Sequence, residues 1–133
     1  MSSPTRCPNC DCATYPASNG HCPDCNYPPT RRLVLTGDLG QLSCGIRTKL
    51  GSTILARLSS EAQFAERDEQ FTVFPCDSDW FVVPRMDTKN FTLLNGSAIF
   101  GEARLNDGDA LALGSRTVLD KQVMVLRLSM GES

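Results

Sequence analysis

Five of the seven cysteines crowd into the first 25 residues: Cys7, Cys10, Cys12, Cys22 and Cys25. Cys44 and Cys76 are all that remain for the rest of the chain. "CPNC" at 7–10 and "CPDC" at 22–25 form two Cys-x-x-Cys pairs with eleven residues between them. A tetrahedral Zn²⁺ takes four thiolates at about 2.3 Å, and each pair wraps two sulfurs around one side of the ion. Such a turn favours a left-handed residue just past its second Cys; Asn26 suits that position and Asp11 is tolerated there. An odd cysteine total without a secretory signal is poor material for a disulfide framework. The spacing therefore predicts one structural Zn²⁺ per chain, held by Cys7, Cys10, Cys22 and Cys25. Four protein ligands leave no vacancy for water, so the site is expected to order the chain and not to catalyse. A redox Cys-x-x-Cys normally opens a helix after a strand, and no such flanking pattern is present. Cys12 and His21 are potential substitute ligands, but they fall outside the paired spacing and read as a spare thiol and a surface residue.

Over residues 7 to 26 this arrangement resembles the short bacterial zinc ribbon, whose knuckles commonly read Cys-Pro-x-Cys-Gly. It departs from that family at Asp11 and Asn26, where the family usually has Gly. Residues 1–27 carry almost no aliphatic side chains, too few for a hydrophobic core, so the metal must order them. Arg6, Arg31 and Arg32 against Asp11 and Asp24 leave residues 1–32 at +1, too little for an electrostatic nucleic-acid footprint. The whole chain, 133 residues with net charge −2 and pI near 5.3, argues the same way against nucleic acid and membrane surfaces. No apolar run approaches a membrane span. The opening "MSSPTRCPNC" lacks the apolar centre of a signal peptide, so a cytoplasmic location is expected.

After the stiff polar connector at 28–32, aliphatic residues return and stay, which marks a second domain over 33–133. Its apolar runs are short and β-branched or aromatic: 33–35, 46–50, 70–74, 80–83, 97–100, 109–113 and 122–128. Gly, Asp, Asn or Pro separates them at roughly ten-residue intervals, the spacing of an all-β sandwich. "SSEAQFAERDEQ" at 59–70 reads as a long loop with a helical turn, with Ser60 and Gln63 placed for a capping box. Asn95-Gly96 and Asp107-Gly108 are strong hairpin signals, and Asp109 is placed to clamp its turn by accepting backbone N–H groups.

The last third, "TKNFTLLNG" followed by "IFGEARLNDGDALALG", resembles the second half of a forkhead-associated (FHA) domain. That family reads Ser/Thr-x-Asn-Gly-Thr-x-x-Asn-Gly, then an apolar strand, then Leu-x-x-Gly-Asp-x-Ile-x-x-Gly. Thr88, Asn90, Thr92, Asn95 and Gly96 match the first part, and Leu105, Gly108, Asp109, Leu111 and Gly114 the second. Phe91 stands where the family has Gly. Upstream, "KLGST" fits the place of the family's Gly-Arg and "RDEQFTV" that of its Ser-x-x-His-x-x-Ile. The resemblance implies an FHA-like β-sandwich preceded by a small zinc ribbon.

It also implies a partner-binding end. In the family, loops at one end of the sandwich bind a phosphothreonine peptide: an arginine and a serine take the phosphate, and an asparagine holds the peptide backbone. Here the arginine position is Ser52, the serine position falls near Arg67, the assisting position is Lys89, and the asparagine is kept as Asn90. Gln70 stands near the usual histidine. Two main phosphate contacts are altered, and Glu66, Asp68 and Glu69 oppose an incoming dianion. A nucleophile–base pair, a phosphate-cradling Gly loop and paired catalytic carboxylates are all missing from the sequence, so no enzyme is expected. The expected function is a non-catalytic adaptor that docks a partner protein or peptide, with weak or no dependence on phosphothreonine. The alternative is a nucleic-acid-associated protein that binds through the ribbon.

Overall fold

The alternation that begins at Leu33 sends every second side chain of the strands inward, where two sheets share one apolar layer. A computed structural model describes Cys7, Asn9, Cys22 and residues 31–76, 79–115 and 122–132. Ten strands lie among the described residues: β1 Arg31–Thr36, β2 Gln41–Cys44, β3 Thr48–Leu50, β4 Phe71–Cys76, β5 Asp79–Pro84, β6 Asn90–Leu94, β7 Ser97–Ala98, β8 Ala103–Leu105, β9 Ala110–Ser115 and β10 Gln122–Glu132. They form two antiparallel sheets, ordered β2-β1-β10-β9-β6-β7 and β3-β4-β5-β8. Leu33, Leu35, Leu111, Leu113, Met124, Leu126 and Leu128 of the first sheet meet Leu50, Phe71, Val73, Trp80, Val82 and Leu105 of the second. Trp80 is fully buried and its indole N–H donates to the Arg31 carbonyl at 3.0 Å, tying one sheet to the other.

Strand direction defines two ends. Asn90 pairs with Ser115, and Leu50 with Phe71, at the end we call upper; Leu94 with Leu111, and Cys76 with Asp79, lie toward the lower end. At the lower end Asn95 and Gly96 both have positive φ, 52° and 86°, as a type I′ hairpin turn between β6 and β7 requires. The Asp107-Gly108 turn does not close a hairpin as expected. It carries the chain from β8 in one sheet to β9 in the other, strands that do not pair. Asp109 clamps that turn by accepting the Asn106 N–H at 2.8 Å. Asn95 then joins the two turns: its Nδ2 donates to Asp109 Oδ1 at 3.0 Å, and its Oδ1 accepts the Ala110 N–H at 2.9 Å.

Arg31 and Arg32, assigned from sequence to the connector, already belong to β1, where they pair with Glu132 and Gly131 of β10. The residues between β3 and β4 hold a short helix, α1 (Ser52–Leu55), which was not anticipated, and a 3₁₀ turn at Ala62–Phe64. The Ser60–Gln63 capping box does not form. Ser60 instead donates its N–H and hydroxyl to Asp38 at 3.2 and 2.7 Å, a contact with the β1–β2 turn that no local pattern encodes. Leu55, Leu58, Ala62 and Ala65 anchor this long loop in the core, each fully buried leucine contributing about 1.5–3 kcal/mol.

Candidate partner-binding end

Ser52, Arg67, Lys89 and Asn90 all come to the upper end, and the segment Phe64–Glu66 links them. Gly51 starts this arrangement by close approach. A Cβ there would lie 2.3 Å from the Arg67 carbonyl oxygen, so only glycine lets the 64–68 stretch fold back against α1. The Ser52 N–H then donates to the Glu66 carbonyl at 2.8 Å. The Lys89 N–H donates to Glu66 Oε2 at 3.0 Å, and Asn90 Nδ2 donates to the Phe64 carbonyl at 2.7 Å.

Gln70 holds the pieces in register. It is fully buried, its Oε1 accepts the Glu66 N–H at 2.9 Å, and its Nε2 donates to the Asn90 carbonyl at 3.0 Å and to Thr92 Oγ1 at 3.1 Å. Its backbone also bonds both neighbouring strands: the Gln70 N–H donates to the Leu50 carbonyl at 2.8 Å, and the Arg85 N–H donates to the Gln70 carbonyl at 3.0 Å. The buried Thr88 hydroxyl adds a second bond to the Asn90 carbonyl at 2.7 Å. A buried side-chain amide with all its polar atoms partnered fixes one geometry, because any other leaves a donor or acceptor stranded.

The charges around this network are mixed. Arg67 and Lys89 are exposed. Arg85 pairs with Asp87 at 2.8 Å; that hydrogen bond holds the Asp87 carboxyl below its ordinary range and the guanidinium above its own, with Glu66 and Glu69 adding a smaller electrostatic pull on Arg85. Glu69 accepts the Thr72 hydroxyl. Three cations (Arg67, Arg85, Lys89) thus face four carboxylates (Glu66, Asp68, Glu69, Asp87), no excess of positive charge for a dianion.

The opposite end carries Asn9, with Cys7 beside it. Cys7, Asn9 and Cys22 are all buried. The Asn9 N–H donates to Cys7 Sγ at 3.4 Å, an amide directed at sulfur inside the first pair. Asn9 Nδ2 donates to the Pro75 carbonyl at 2.8 Å, and its Oδ1 accepts the Arg47 N–H at 2.9 Å. Arg47 Nε donates back to the Asn9 carbonyl at 3.1 Å, and its guanidinium lies 4.4 Å from the Phe74 ring centroid. β3 stops pairing with β4 beyond Thr48 and Val73, so the Asn9 amide takes a place that a further peptide unit would fill. It also explains Pro75 in β4: the side of Pro75 that lacks an N–H faces the gap left by β3, where only its carbonyl is called on. Cys10, Cys12, Cys25 and His21 lie outside the described residues, and among the described residues no three metal-ligating side chains gather.

No protein-family model matches the chain, and no curated protein matches it. Among solved structures it is similar to the "Solution Structure of The FHA Domain of Arabidopsis thaliana Hypothetical Protein", with 18% identity and a TM-score of 0.53 over 77% of this chain and 86% of that one. The sandwich has an FHA-like fold. Within this FHA-like frame, sequence reasoning brought forward Ser52, Arg67, Lys89 and Asn90 but not Phe64, whose contribution is a backbone carbonyl, nor Asn9, whose partners are 38 and 66 residues away. Glu66 was visible only as a charge unfavourable to phosphate; its bond to the Lys89 N–H comes from the folding back of the loop. No helix among the described residues is long and apolar enough to cross a membrane.

Proposed function

We propose that this chain is a non-catalytic protein-interaction adaptor: an FHA-like module that docks a partner protein without depending on phosphothreonine, and that carries a zinc ribbon fixed to its lower end. The observation that carries the first part is the state of the upper end. Ser52 stands in the family's arginine position and offers one neutral hydroxyl in place of a planar, bidentate guanidinium. The cations that remain, Arg67 and Lys89, point into solvent among carboxylates. A bidentate arginine contact contributes roughly 1.5–3 kcal/mol, and most of that is missing here.

For the ribbon, the support is the donor set. Cys7 and Cys22 are buried, and the Asn9 amide is directed at the Cys7 sulfur, which suits a ligand within a metal knuckle. Cys7, Cys10, Cys22 and Cys25 would hold the ion, whose chemistry there is that of a structural cross-link.

Two measurements test the reading. Protein captured from lysate before and after phosphatase treatment should be the same set; loss of all specific capture after phosphatase would overturn the phosphorylation-independent part. Metal analysis of protein prepared without chelator should return one zinc per chain, and Cys22→Ser should abolish it. Structural zinc contributes on the order of 10 kcal/mol to ordering such a module, so a metal-free preparation that keeps the Asn9 contacts would refute the ribbon.

A further inference from the structure

Three bonds at the upper end share one feature: each uses a donor or acceptor that faces outward from a recognition loop, and each is met by the chain itself. Asn90 Nδ2 donates to a peptide carbonyl, that of Phe64, at 2.7 Å. The Lys89 N–H donates to a carboxylate oxygen, that of Glu66, at 3.0 Å. The Ser52 N–H donates to the Glu66 carbonyl at 2.8 Å. An extended peptide with an anion two residues past a hydrogen-bonded carbonyl would offer the same groups in the same order. We propose that Phe64–Glu66 is a built-in ligand of this chain's own recognition end, and that Glu66 is the specificity-determining residue that keeps phosphate out.

The proposal rests on the reading of the upper end as a partner-binding surface, and it adds the cause of the lost phosphate dependence. Altered side chains at Ser52 and Arg67 weaken an anion site, but they do not close one. A carboxylate on the Lys89 N–H does both things that exclude phosphate: it consumes a donor that a phosphate oxygen would use, and it leaves a like charge beside any arriving dianion. The plug is held firmly. Its own N–H is taken by Gln70 Oε1, and Gln70 is fully buried and bonded to Asn90 and Thr92, so Glu66 is part of the same network as the loop it blocks. Arg67 follows directly and Lys89 sits opposite, both exposed, so removing the carboxylate would leave two cations beside a free backbone donor.

The test uses the full chain and two substitutions. Glu66→Gln keeps the shape and removes the charge; Glu66→Ala removes the acceptor as well. Each protein is titrated with a degenerate phosphothreonine peptide library and its unphosphorylated twin. Wild type should show no preference between the two libraries. Glu66→Ala should gain phosphopeptide affinity by about 10- to 100-fold, the equivalent of one charge-assisted hydrogen bond. Glu66→Gln should gain less, and neither should change toward the unphosphorylated peptides. The gain should move the Lys89 backbone amide resonance, which a general change in surface charge would not. Phosphopeptide affinity unchanged in both folded variants would overturn the plug and leave the phosphorylation-independent adaptor standing. Wild type that already binds the phosphorylated set at low micromolar concentration would overturn both. If Glu66→Ala fails to fold, Glu66→Gln decides alone, since it preserves every contact except the charge.

Discussion

At the lower end of the sandwich, short polar side chains close gaps between distant parts of the chain. Asn95 bonds Asp109 and the Ala110 N–H, and Asn9 spans from the Pro75 carbonyl to the Arg47 N–H. At the upper end one long segment, from α1 to Gln70, is pinned by buried Leu55, Leu58, Ala62 and Ala65, and only its last residues turn polar groups toward Lys89 and Asn90. The first end is rigid because each turn satisfies the other. The second is rigid because its apolar anchors leave the polar tip nowhere else to go. The difference predicts what a substitution does at each end: below, it should break the fold locally, while above, it should change which polar groups the surface presents.

The largest expected effect tests the lower end directly. Asn9→Ala strands the Pro75 carbonyl and the Arg47 N–H, and an unsatisfied buried group costs about 1–3 kcal/mol. The melt should fall by several degrees. An unchanged melt would mean that Asn9 only rests on the sandwich, and the contrast between the ends would weaken. Next, Gly96→Val forces a β-branched residue into φ near 86°, at about 1–3 kcal/mol, and its loss of thermal stability should leave partner capture intact. A variant that melts normally would show that the turn tolerates another conformation.

The smallest effect belongs to the upper end's margin. Asp38 accepts two bonds from Ser60, chiefly the hydroxyl, and these hold its carboxyl below its ordinary value. A depressed folded value stabilises the protein at all pH above the ordinary carboxylate range, and that contribution disappears as pH falls through the depressed value. Asp38→Ala should therefore lower the melt slightly at neutral pH, and the gap to wild type should close in acid. A gap that persists in acid would assign the effect to packing of the β1–β2 turn instead.

What could be read from the sequence follows the range of the forces involved. Asn95-Gly96 was legible because positive φ is a local demand that few residue pairs meet. Leu33, Leu111 and Leu126 were legible as members of short apolar strand runs, and the structure places all three in the core. β2 and β8 were not, since "QLSC" and "ARL" are three or four residues with no pattern long enough to count. Asp107-Gly108 gave the right turn and the wrong connection, because a turn signal does not say which sheet the next strand joins. The start of β1 at Arg31 is set by pairing with Glu132 at the far end of the chain. Of the upper end, the side-chain positions were legible through the family pattern, while the donor from Lys89 and the acceptor from Phe64 are backbone groups, which carry no residue type to read.

Trp80, the single tryptophan, gives this architecture an optical reporter. It is 1% exposed, buried in the core between the sheets, with its indole N–H on the carbonyl of the first residue of β1. An indole so placed should emit at short wavelength. The emission should shift to the red when the strand leading in from the cysteine pairs lets go, before the rest of the sandwich opens. Intrinsic fluorescence can thus follow the start of β1 without any label.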